Sequence, residues 1–284
     1  MRWDRSHRSD YVDDRRGEGG GGPNLSGLGM LLPLVGRFGW KGIVVAGVIF
    51  LILRGTGTCA SSGDGGPERG RLAGSYAPGS QNAAEDELAH FVGFVFDDAQ
   101  ETWKRQFARV GDTYQPARLV LFTDAVSTGC GRAPAEVGPF YCPNDEHVYI
   151  DLSFYRELRQ RFGAAGDFAQ AYVIAHELGH HVEQQRHVRA PESAGDSVAY
   201  ELLADCLAGV WAKDAEQRNL LETGDLEEAL NAASAIGDDR IQRQATGTVR
   251  PETFTHGSSQ ERRQAFQHGF VNGGKESCGV FDRR

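Results

Sequence analysis

Positive charge is scarce in this sequence. Thirty lysines and arginines stand against 39 aspartates and glutamates, leaving a net charge of −9 over 284 residues. A phosphate-binding surface needs a basic face, so nucleic acid is set aside as a partner. No internal repeat is visible. Apolar residues are nearly missing from the opening stretch MRWDRSHRSDYVDDRRGEGGGGPN, where arginines and aspartates mix with a glycine run. Such a stretch cannot bury a core, and residues 1–33 are expected to be a disordered, cytoplasmic tail. Long uninterrupted apolar runs are missing as well. The stretch from Gly42 to Leu53 has only about half of the ~20 residues that a bilayer-spanning helix needs.

That stretch nevertheless continues backwards as apolar sequence to about Leu34, broken only by Arg37 and Lys41, which can snorkel towards lipid headgroups beside Trp40. A single transmembrane helix is expected over residues 34–54. The alternatives are a cleaved signal, since GTGTCAS supplies small residues after the apolar core, and a buried core helix. Arg2, Arg5, Arg8, Arg15, Arg16, Arg37 and Lys41 precede the segment, whereas only Arg54, Arg69 and Arg71 follow closely. The positive-inside rule then puts the N-terminus in the cytoplasm and the rest of the chain outside the cell membrane. Residues 55–85 are rich in glycine, serine and proline without an apolar period, and read as a flexible linker. Residues 86–284 are the expected folded domain.

An extracytoplasmic domain permits disulfides. Of five cysteines, Cys130 and Cys142 bracket the short loop CGRAPAEVGPFYC, and Cys206 with Cys278 is the candidate second pair, leaving Cys59 in the linker. Five unpaired thiols are the alternative, because spacing does not fix connectivity.

Within the domain, apolar residues at helical spacing from Glu87 to Val110 predict an amphipathic helix, while ARLVLFTD and HVYIDLSF read as strands. Gly166 and Asp167 open a long helix, FAQAYVIAHELGHHVEQQRHV. Further helices are expected in DSVAYELLADCLAGVWAKDAEQR, in DLEEALNAASAIGDDRIQRQ and after THGSSQERRQ, where Ser258 and Glu261 have the spacing of a capping box. Many helices with few strands predict an α+β domain.

The long helix contains His176, Glu177 and His180 in the order H-E-x-x-H. Histidines at i and i+4 lie on one helix face, so both imidazoles can reach one Zn²⁺. Glu177 projects beside them, where a carboxylate can take a proton from a metal-activated water. A surface helix with clustered histidines is the bland alternative, and the apolar neighbours Phe168, Tyr172 and Val173 weigh against it. A catalytic zinc keeps three protein ligands and one open position. A glycine seven and a histidine ten residues after His176 would supply a third ligand from the same segment, but Glu183 and Arg186 stand there. A following helix is the other source: in YELLADC, Glu201 can ligate while Asp205, one turn on, hydrogen-bonds a ligand imidazole.

The segments GDFAQAYVIAHELGHHVEQQ, ELLADCLAGVWA, GDLEEALNAASAIGDDRIQ, FTHGSSQERRQAFQHGF and GCGRAPAEVGPFYCPNDEHVYIDLSFY, with the opening MRWDRSHRSDYVDDRRG, resemble the bacterial neutral zinc metallopeptidase family over nearly the whole chain. The resemblance implies a zincin-like, mainly helical metallopeptidase domain with a small sheet, zinc on His176, His180 and Glu201, and Glu177 as the catalytic glutamate. More distantly, the chain is similar to HtpX-like membrane proteases. In that group a T-H motif followed by an arginine lies near the cleft, and these residues fall on His256 and Arg262. His256 then reads either as a donor to the reaction's oxyanion or as a loop histidine at a helix start. His181 and His187 are expected to support the site or to face solvent.

The sequence thus predicts a membrane-anchored zinc endopeptidase acting on a peptide or protein substrate. Its rival is a non-catalytic zinc-binding scaffold, and hydrolysis of a non-peptide amide is compatible with the same ligand set.

Overall fold

The computed structural model describes residues 1–17, 83–274 and 278–281. Met1–Gly20 and Gly74–Arg284 form one compact unit; a second, Gly21–Ala73, lies outside the described residues.

Strand β1 is Val12–Asp14. Helix α1, Ala83–Arg109, follows with Phe91, Val92, Val95, Phe96, Ala99, Trp103 and Phe107 on its buried face, the three- and four-residue spacing of an amphipathic helix. Strand β2 (Arg118–Phe122) leads to a hairpin of β3 (Ala125–Thr128) and β4 (Gly131–Pro134), then β5 (Phe140–Cys142) and β6 (His147–Asp151). One sheet has the order β1-β2-β6-β5, with β1 and β6 parallel to β2 and β5 antiparallel to β6. Leu119, Val120 and Leu121 are all fully buried, as a parallel strand covered on both faces requires.

The remaining helices are α2 (Ser153–Gln160), α3 (Asp167–Gln185), α4 (Ala194–Gln217), α5 (Asp225–Ala235), α6 (Asp238–Thr246) and α7 (Ser259–Asn272). Seven helices and a small sheet among the described residues make the domain α+β. Helix α3 starts after Gly166 at φ 117°, and a carboxylate from another helix caps it: Glu228 Oε2 accepts the Phe168 N–H at 3.1 Å. Ser193 caps α4 by accepting the Asp196 N–H, and α7 opens with the Ser258–Glu261 capping box. Helices α4 and α7 touch at glycines. A Cβ on Gly269 would lie 1.9 Å from the Cys206 carbonyl oxygen, and one on Gly209 would lie 2.1 Å from that of Phe266.

Three expectations need correction. The opening residues are not a disordered tail over 1–17: Trp3 packs edge-on against Phe91, His7 and Ser9 bond Asp97, and Val12–Asp14 pair with Leu119–Leu121. Their charge is matched locally and at a distance, with Arg16, 7% exposed, paired to neighbouring Asp14 at 2.7 Å and to distant Glu85 and Asp86 at 3.3 and 3.1 Å. Segment 225–244 is two helices, not one, because the break at Gly237 lets Ser259 approach closer than any Cβ would permit. Strands β3, β4 and β5 had no counterpart in the sequence reading.

The expected span 34–54 and the linker up to residue 82 lie outside the described residues. Among the described residues no helix is long and apolar enough to cross a membrane. Because β1 is hydrogen-bonded into the sheet, both flanks of that segment belong to one folded unit.

Candidate metal centre

Helix α3 is buried through the motif, with His176 5% and Glu177 8% exposed. It lies against α4, whose Ala204 backbone would sit 3.0 Å from a Cβ on Gly179; that glycine, the second x of H-E-x-x-H, lets the two helices close on each other. The approach carries Glu201 of α4 to the histidines. His176 Nε2 is 3.2 Å from Glu201 Oε2, and His180 Nε2 is 3.7 Å from Glu201 Oε1.

The opposite ring nitrogens are both engaged. His176 Nδ1 is 2.8 Å from Asp205 Oδ1, and His180 Nδ1 is 2.8 Å from Glu183 Oε2. An ionised carboxylate only accepts, so each Nδ1 donates to its carboxylate, and each Nε2 would offer a lone pair to a metal held between it and Glu201. The donor atoms of His176, His180 and Glu201 lie within 4.8 Å of one another. Zinc bonds of roughly 2.0–2.1 Å place tetrahedral donors roughly 3.3 Å apart, so two imidazole nitrogens and a carboxylate here fit zinc in separation and chemistry.

Electrostatics point the same way. Burial lowers the pKa of His176, yet Asp205 and Glu201 overcome it and raise it to about 10. For His180, burial is likewise outweighed by Glu183 and Glu201, and its pKa is raised. Burial raises the Glu201 carboxyl, but His176 and His180 hold it well below the usual range. These carboxylates converge where a cation belongs.

Asp205 is the hub of a larger network. It is fully buried and receives Arg262 Nε on Oδ2 at 2.8 Å, Arg262 Nη2 on Oδ1 at 3.0 Å, and the Tyr172 hydroxyl. Arg262 Nη2 also donates to the Tyr172 oxygen at 3.2 Å. The guanidinium of α7 thereby fixes the carboxylate of α4 that fixes the imidazole of α3. Burial raises the Asp205 carboxyl, and the Arg262 charge with His176 brings it below its ordinary value.

A cavity of about 1000 Å³ opens over the cluster, with Glu177 and His256 in its lining. Phe140, Tyr141, Phe154 and Phe162 form its aromatic wall, and Val137, 57% exposed, stands at its rim. The His256 side chain is half exposed. Its backbone N–H donates to Asp238 Oδ2 at 2.7 Å and its Nδ1 lies 3.2 Å from Asp238 Oδ1. The Asp238 hydrogen bond raises the His256 pKa against the opposing effect of burial.

His181 faces away from the ligands, between the Tyr141 hydroxyl and the Gln115 carbonyl oxygen, each at 2.8 Å. His187 is exposed at φ 54°, just past the end of α3. Cys130 is joined to Cys142 and Cys206 to Cys278, the first bridge bracing the cavity wall and the second tying residue 278 to α4 beside Asp205. Cys59 lies outside the described residues. The second acidic cluster, Asp167, Asp225 and Glu228, holds the Met1 ammonium, 2.7 Å from Asp167.

Sequence reasoning brought out the ligands and Asp205 but not Glu183, Tyr172 or Tyr200, whose ring stacks on His180 at 5.1 Å. For Glu183 the signal was present, since i,i+3 spacing from His180 puts both on one helix face. The partnership of Tyr172 with Asp205, 33 residues away, has no local signature.

Two histidines one turn apart on a buried helix, a glutamate between them and a carboxylate from the next helix define the H-E-x-x-H class of metal sites. The chain matches the family described as "Putative neutral zinc metallopeptidase" over residues 1–281, and it belongs to that family. It is 42% identical over 299 aligned positions to "Uncharacterized protein YpfJ" of Escherichia coli strain K12, covering all of this chain and 99% of that one. It is 45% identical over 185 positions to "Uncharacterized protein Rv2575" of Mycobacterium tuberculosis strain H37Rv, covering 59% of this chain and 63% of the relative. No solved structure matches.

Proposed function

We propose that this protein is a zinc-dependent endopeptidase acting on peptide or protein substrates, attached to a membrane. The observation that carries the reading is Glu177. Its carboxylate lines the open cavity beside a cluster that gathers three protein donors, the number a catalytic zinc uses while keeping one position free. A structural zinc closes its shell with four, which disfavours the scaffold alternative.

Zinc held by His176, His180 and Glu201 supplies Lewis acidity and lowers the pKa of water. Glu177 accepts a proton from the water that attacks the substrate carbonyl carbon, then delivers it to the leaving amine nitrogen as the C–N bond breaks. His256, with Asp238 favouring its protonated form, donates to the carbonyl oxygen as negative charge develops there. The aromatic wall excludes water from the substrate's neighbouring side chains.

Residues 34–54 serve as the membrane attachment, with residues 1–17 and 83–284 on the same, extracytoplasmic face. The two disulfides support an oxidising compartment, and the pairing of β1 with β2 supports one face for both flanks. Arg5→Cys and Arg189→Cys, both at exposed positions, are expected to react alike with an impermeant thiol reagent in intact cells. Labelling of Arg189→Cys alone would remove the shared-face arrangement.

The activity is tested by metal content and peptide cleavage, wild type against Glu177→Gln. The variant is expected to keep its zinc and to lose ~10²–10⁴-fold in rate. Zinc with no glutamate-dependent cleavage of any peptide in a library would return the protein to the scaffold class.

A further inference from the structure

Helix α6 is polar along most of its length, and Ile241 is its one large apolar residue. The apolar residue of a surface helix ordinarily packs into the core. Ile241 does not: among the described residues it belongs to none of the three apolar clusters, and it lines the cavity over the metal cluster instead, half-buried.

Several contacts hold this part of the cavity beside the reacting centre. Asp238, three residues before Ile241 and so on the same helix face, accepts the His256 N–H at 2.7 Å, and its own N–H donates to the Gly257 carbonyl oxygen at 2.9 Å. Ile236, just past the end of α5, lines the same cavity, and its carbonyl oxygen accepts Arg262 Nη1 at 3.4 Å. Val173 also lines it, three and four residues before His176 and Glu177 on one face of α3. Phe162, half-buried, completes the apolar set.

The charged groups beside these residues are engaged. Arg262 is held by Asp205, and Asp238 by the N–H groups of Thr255 and His256. The exposed Arg161 guanidinium lies over the Phe162 ring at 5.2 Å. An apolar side chain entering here strips none of them of a partner, whereas a charged one would find no free counter-ion among them.

We propose that Ile241 is a specificity-determining residue: with Val173, Ile236 and Phe162 it forms a recess that takes one large apolar side chain of the peptide, at a position flanking the bond that is cleaved. This inference rests on the endopeptidase reading of the metal centre.

The full-length chain, loaded with zinc, is given a mixture of peptides that differ at single positions, and the products are read by mass spectrometry. Competition within one mixture makes relative kcat/KM independent of how much enzyme is active. The wild type is expected to favour leucine or phenylalanine over alanine by ~10-fold or more at one position next to the cleaved bond. Ile241→Trp fills the recess and should lower the phenylalanine-to-alanine ratio by ~10-fold or more, while Ile241→Ala widens it and should raise tryptophan relative to leucine. Zinc content and melting temperature should stay close to the wild type, because Ile241 belongs to no core cluster. Should one variant fail to fold, the other decides alone. Wild-type cleavage without an apolar preference beside the cleaved bond overturns the inference, and so does a preference that a folded variant leaves unchanged within about twofold. A wild-type chain that binds zinc and cleaves no peptide would instead overturn the proposed function.

Discussion

The ligand-bearing helices and the wall they face are built by opposite means. On the helical side, α3, α4 and α7 meet through Gly179, Gly209 and Gly269 so closely that no added Cβ fits at the last two without backbone movement, and a buried Asp205–Arg262 pair locks them. On the wall, residues 124–143 run through two short strands, a 3-10 turn and the edge strand β5, much of it exposed, with a disulfide bracing what packing does not. Close packing holds ligand geometry to fractions of an ångström. A loosely packed, disulfide-braced wall can change its side chains without disturbing the metal, which suits the part that selects substrate.

The largest effect should come from breaking the helical side at its tightest point. Gly269→Val places branched carbon against the Cys206 carbonyl and is expected to cost about 4 kcal/mol or more, read as a collapse of the urea midpoint. Arg262→Met leaves Asp205 buried without its cation, with an expected loss of about 3–5 kcal/mol in the same measurement. On the wall, Cys130→Ser with Cys142→Ser removes a loop constraint worth at most ~3 kcal/mol. Zinc content should remain that of the wild type while KM rises; loss of zinc would show that the wall and the helices are not independent.

His256 stands between the two regions, and its test is a pH profile. Its folded pKa is raised, so the protonated form persists above the ordinary value of about 6.5 and is lost as pH climbs through the folded pKa. The basic limb of kcat/KM should therefore lie above pH ~6.5 and disappear in His256→Gln; an unchanged limb would assign it to another group. The smallest effect is expected from Val137→Ser at the rim: stability within about 0.5 kcal/mol of wild type, and a change confined to KM for substrates with apolar side chains.

The parts of this architecture that were readable in sequence are those whose partners lie one helix turn apart or in an adjacent apolar helix. His176 with His180, Glu201 with Asp205, and Ser258 with Glu261 all announce themselves by spacing. Residues 1–17 did not, because charge and glycine there read as solvated, whereas Asp97, Glu85 and Asp86, about 70 to 90 positions later, are what bury them. The hairpin β3–β4 was hidden by composition: Gly131 and Pro134 are poor strand formers, and pairing with Ala125–Thr128 overrides that preference. Gly237 was read through as helix because the reason for the break, the start of α7, lies more than 20 residues on.

Strand β1 is short, and among the described residues it is the strand that pairs with the outer edge of β2. Behind it lie the backbone groups of Leu119, Val120 and Leu121, a run of apolar residues that would otherwise be an open template for another chain. The charged opening residues therefore act as a guard rail on the sheet, and a protein trimmed of residues 1–17 should associate edge to edge even with its metal cluster untouched.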